Sequence, residues 1–127
     1  MRKFVLTAVL VILSLKYGID YLLSEKFQNY GDQKKAQWTC QVNNFLAGLF
    51  EVSSDYQRSI DLYDRVLTRC PESPMAEQAM FSKAYDLENL NHPHEAYDVY
   101  LQYRDAFPNS DKIGKVNRAI DRIRFSK

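Results

Sequence analysis

Residues 71–110, PESPMAEQAMFSKAYDLENLNHPHEAYDVYLQYRDAFPNS, carry two apolar rows at helical spacing with one break between them. Met80, Ala84 and Leu87 recur every three or four positions and share one helix face. Asn91, His92 and Pro93 interrupt the row, and Ala96, Tyr100, Tyr103 and Phe107 resume it up to Pro108. The spacing predicts two helices folded back on each other through a short turn.

Upstream the pattern returns at an offset of 37, which pairs Gln41 with Gln78, Ala47 with Ala84, Glu51 with Glu88, Tyr63 with Tyr100 and Pro71 with Pro108, and sets Ser59 against Ala96. There Val42, Phe45, Leu46, Leu49 and Phe50 form the first row. Ser53, Ser54 and Asp55 break it, and Tyr56, Ile60, Tyr63, Val66 and Leu67 continue it. Downstream, residues 111–125 put Ile113, Val116, Ile120 and Ile123 on one stripe, fit to cover the open end of the second hairpin. Self-similarity at a fixed period signals stacked units that bury their apolar faces on one another.

Ala84, Ala96, Tyr100 and Pro108 stand at the spacing of the small, small, aromatic and proline positions of a tetratricopeptide repeat, and Ala47, Ser59, Tyr63 and Pro71 match them in the first unit. Residues 70–79, with Pro71, Ser73, Ala76 and Ala79, resemble the joints of the bacterial subclass that includes outer-membrane assembly lipoproteins and the Tol-Pal coordinator. The resemblance covers residues 38–125. It implies a short tetratricopeptide-like α-solenoid of two hairpins and a capping helix; with the apolar amino-terminal segment, read as a single transmembrane helix, the expected fold is all-α. The resemblance also implies a partner-binding groove lined by the first helices, presenting Gln41, Asn44, Gly48 and Glu51, then Gln78, Phe81, Tyr85 and Glu88. Phe81 and Tyr85 are four apart and suit an aromatic anchor for a partner, or else pack against the capping helix.

The amino-terminal segment differs. Arg2 and Lys3 precede an uncharged run over residues 4–15, and the apolar character persists to Leu23. No small-x-small site and no cysteine follow the run, so a retained anchor over residues 1–23 is expected, rather than a cleaved or lipidated leader. About 20 residues at 1.5 Å each reach roughly 30 Å, enough to span a bilayer core. Lys16 and Asp20 share a face, where they meet a neighbouring helix in the membrane or snorkel to the interface. The leading basic residues favour a cytoplasmic amino terminus in a bacterial inner membrane and a periplasmic carboxy-terminal domain. Residues 24–36 are polar, a helical or flexible spacer before a domain over residues 37–127.

With 17 basic against 16 acidic side chains, no global field draws nucleic acid, and none is expected as a partner. His92 and His94 flank Pro93 with no placed third ligand, and no phosphate loop, nucleophile elbow or CxxC is present. The expectation is no catalysis, no cofactor and no metal. Cys40 and Cys70 sit at matching heights of the first hairpin, fifteen residues either side of Asp55, so they form a disulfide or remain two buried thiols. Lys115, Arg118 and Arg122 share a face of the last helix, either solvated or set to meet an acidic partner or anionic headgroups. The expected function is that of a membrane-anchored scaffold or accessory subunit in a multisubunit envelope complex. It contacts the bilayer through residues 4–23 and other membrane or periplasmic proteins through its repeats. The alternatives are a periplasmic adaptor binding one peptide or soluble partner transiently, and, from another class, a small enzyme or redox protein.

Overall fold

The computed structural model describes residues 2–28 and 33–126. Among the described residues every regular element is a helix: α1 (Arg2–Leu23), α2 (Glu25–Gln28), α3 (Gln33–Val52), α4 (Tyr56–Arg69), α5 (Ala76–Asn89), α6 (Pro93–Ala106) and α7 (Ile113–Phe125). Residues 29–32 of the expected spacer lie outside the described residues, and α3 begins at Gln33, inside that spacer. The chain divides into two compact units, Met1–Thr39 and Cys40–Lys127.

In the first unit, the segment Val5–Leu23 of α1 is long and apolar enough to cross a membrane, with mean hydropathy 1.7 and none of its window buried. Its polar Ser14 returns its hydroxyl to the Val11 carbonyl at 2.9 Å, which satisfies the donor without water. Lys16 and Asp20 are both exposed and form no ion pair with each other. Ser24 ends the helix: its hydroxyl donates to the Tyr21 carbonyl at 2.6 Å and accepts the Phe27 N–H at 3.4 Å. Phe27 is buried beside Tyr21 and Trp38, with ring centroids 6.0 and 5.2 Å away.

In the second unit the 37-residue period is written into the backbone. Asp55 N–H bonds the Phe50 carbonyl at 2.8 Å and His92 N–H bonds Leu87 at 2.9 Å. Ser54 and Asn91, which precede those donors, hold φ of 62° and 60°, the left-handed conformation that reverses the chain. Cys70 and Phe107 close α4 and α6 with N–H bonds to Val66 and Tyr103, both 2.8 Å. Ala76 and Ile113 then open the next helices with bonds to Ser73 and Ser110. Thus α7 starts where the period puts the first helix of a third unit. Pro93 at the first position of α6 has no N–H to lose there.

Ala47, Ser59, Ala84 and Ala96, the paired small residues of the repeat, are all fully buried. Short side chains at these places let the helices of each hairpin approach closely. Around them Ile60, Leu87, Val99, Tyr100, Tyr103, Val116, Ala119 and Ile120 form the core, with Ile113 and Ile123 packed at its edge. The first row of α3 departs from expectation, since only Leu46 of its five apolar residues is buried; Phe45 is 66% and Leu49 48% exposed. One period on, Ser82 and Asp86 are buried. Their helix α5 packs against the preceding α4.

Candidate functional site

The hairpin of α3 and α4 is closed at its base by a disulfide between Cys40 and Cys70, with S–S 2.04 Å. Near its turn the Tyr63 hydroxyl donates to Glu51 at 2.9 Å. The second hairpin repeats that bond one period later, from Tyr100 to Glu88 at 2.7 Å. Burial and the adjoining Glu88 carboxylate push the Tyr100 phenol well above its ordinary range, so it remains a fixed donor.

Glu88 is also gripped from α7. Arg122 Nη2 lies 2.9 and 2.6 Å from its two carboxylate oxygens, and this ion pair holds α7 against α5. Between the two helices opens a cleft of about 500 Å³, lined by Phe81, Tyr85, Glu88 and Asn89 of α5, Tyr100 of α6, and Lys115, Arg118, Ala119 and Arg122 of α7. Phe81 is half-buried, stacked edge-on against Tyr100 and Tyr103, and Tyr85 is 47% exposed. Phe81 thus leans on the core and Tyr85 lines the cleft. Lys115 and Arg118 are exposed and enter no ion pair among the described residues.

The groove and the basic face, expected as separate features, meet in this one cleft. The period explains why. Gln41, Asn44, Gly48 and Glu51 of α3 correspond to Gln78, Phe81, Tyr85 and Glu88 of α5, and one further step of 37 reaches Lys115, Arg118, Arg122 and Phe125 of α7. Extending the offset once more past Ser110 is the sequence signal that finds this. Gln41, Asn44 and Gln78 do not line the cleft: Gln41 is exposed, Asn44 is half-buried, and Gln78 donates to Ser82 at 2.9 Å. Phe45, Leu49 and Val52 leave an apolar row in the open on α3.

Two polar centres lie outside the cleft, one buried and one half-exposed. Asp86 is fully buried, with no hydrogen bond of good geometry to either carboxylate oxygen among the described residues and the Ser59 hydroxyl as a near neighbour. Desolvation raises it to about 7, against the pull of the neighbouring Ser59 hydroxyl and with a push from Glu51. At the joint after α6, Glu77 accepts from Tyr103 at 2.8 Å and Ser110 at 2.5 Å. The Ser110 and Tyr103 donors, aided by Lys112, hold Glu77 below the usual carboxylate range. His92 meets Glu95 at 2.7 Å within the turn opening α6, and His94 is exposed. No protein-family model, no curated protein and no solved structure matches this chain.

Proposed function

We propose that this chain is a membrane-anchored, tetratricopeptide-like scaffold or accessory subunit that holds another envelope protein against its repeat domain. The single observation that carries the reading is the cleft between α5 and α7, which gathers an exposed aromatic ring and two uncommitted cations in one concavity. A concave surface with exposed aromatic and cationic side chains is the composition of a protein-binding patch. The repeated backbone and the small residues at each hairpin crossing support the solenoid reading, and the apolar α1 supports a tether. In this arrangement α1 crosses the bacterial inner membrane once with Arg2 and Lys3 on the cytoplasmic side, and the repeats work in the periplasm, where the disulfide persists.

The exposed row of Phe45, Leu49 and Val52 favours a fixed partner over a transient one, because a lone soluble domain gains nothing from apolar side chains in water. Gentle detergent extraction and native mass analysis test the reading. The chain should appear in a larger assembly at fixed ratio. A species holding a single copy of the chain and no partner would refute the subunit role.

A further inference from the structure

We infer that the α5/α7 cleft receives an acidic peptide segment of the partner, with one aromatic or long aliphatic side chain against Phe81 and Tyr85 and flanking carboxylates on Lys115 and Arg118. The inference rests on the scaffold reading and names the chemistry of what is held. Three cations line the cleft, Lys115, Arg118 and Arg122, against the single carboxylate of Glu88, which leaves a net charge of +2. Arg122 is committed to Glu88 by two contacts, at 2.9 and 2.6 Å. The attraction for an incoming anion therefore falls to Lys115 and Arg118, which no acidic side chain among the described residues engages.

The floor between them is ring and aliphatic surface, Phe81, Tyr85, Tyr100 and Ala119, and a bare anion would leave it wet. A volume of about 500 Å³ holds a few amino-acid residues. The occupant that satisfies both parts has apolar bulk adjoining negative charge. A membrane surface fits poorly, because planar headgroups reach convex basic faces and cannot fill a recess.

The test uses the full chain in neutral-lipid nanodiscs, titrated calorimetrically with the blocked peptide Asp-Glu-Phe-Asp-Glu. Binding should weaken about tenfold or more when the acids become Asn and Gln, and several-fold when Phe becomes Ala. It should also fall with added salt. The Lys115→Glu/Arg118→Glu variant should lose the peptide while keeping its helical signal and melting temperature, since neither side chain is buried or paired. Tyr85→Ala should lose the Phe-dependent part alone. Equal affinity for acidic and amide peptides would overturn the inference, as would displacement of the peptide by inorganic phosphate or by anionic vesicles at matched charge. Peptide binding without a fixed-ratio assembly would remove the subunit reading and leave this one; an assembly without peptide binding would do the reverse.

Discussion

The Tyr100 hydroxyl donates to Glu88 across 2.7 Å, and Tyr63 makes the same bond to Glu51 in the preceding hairpin. Each joins the second helix of a hairpin to the end of its first, and each hydroxyl belongs to a buried residue. Removing the donor by Tyr100→Phe should cost about 1 kcal/mol, because Glu88 keeps Arg122. Removing the acceptor by Glu88→Ala should cost about 2 kcal/mol, because a buried hydroxyl is left unpaired and α7 loses its ion pair. A double-mutant cycle in urea should show coupling between the two. Additive losses would mean the bond does not form.

Asp86 and Glu77 should give stability an optimum in mildly acidic solution. Asp86 has a folded pKa of about 7, above its ordinary 3.8, so the folded state holds a proton that the unfolded state has released. Stability from this group therefore falls as pH rises through that window, by up to about 4 kcal/mol in total. Glu77 works oppositely: its folded pKa lies below the ordinary 4.5, so its contribution is present above that value and is lost on further acidification. Denaturation across the pH range should show Asp86→Asn flattening the slope between pH 4 and 7 and raising stability at pH 8. A wild-type curve rising steadily from pH 4 to 8 would contradict it.

The Cys40–Cys70 bond closes a loop with a sequence separation of 30. Loop entropy then gives about 3 to 4 kcal/mol of stabilisation, a large part of what a domain of this size possesses. The Cys40→Ala/Cys70→Ala variant should melt at least several degrees lower, and reducing agent should lower the wild type similarly while leaving the variant unchanged. Equal melting temperatures in oxidised and reduced wild type would show that the bond constrains nothing.

Ser54 holds φ at 62° with a β-carbon, whereas its counterpart at φ 60° is Asn91, a residue better suited to that conformation. Ser54→Gly should therefore stabilise by about 0.5 to 1 kcal/mol, and Ser54→Val should destabilise more strongly. Thermal melts of the two variants read this directly, and a Gly variant less stable than wild type would contradict it.

The helical hairpins were legible because their signals are local and repeated: small residues at 47, 59, 84 and 96, prolines after each second helix, and turn residues at matched places. What escaped was set by neighbours. Phe45 and Leu49 read as core from their spacing, yet both stay exposed, whereas Ser82 and Asp86 one period on are buried on α5, against which α4 packs. Asp86 carries no local signal of burial, and it is enclosed where α4 packs on α5. The cleft was half legible, with its residues named in two lists. Charge on α7 hid that Lys115, Arg118 and Arg122 occupy the same repeat positions as Gln78, Phe81 and Tyr85.

Site-specific photo-crosslinking in intact membranes reads whether a partner occupies the cleft, with the crosslinker replacing Tyr85 there or, as a control, the exposed Gln57 of α4. One adduct of defined mass should form from position 85, reduced by Lys115→Glu/Arg118→Glu, and none from position 57. Adducts absent from position 85, or alike at both positions, would contradict partner binding in the cleft.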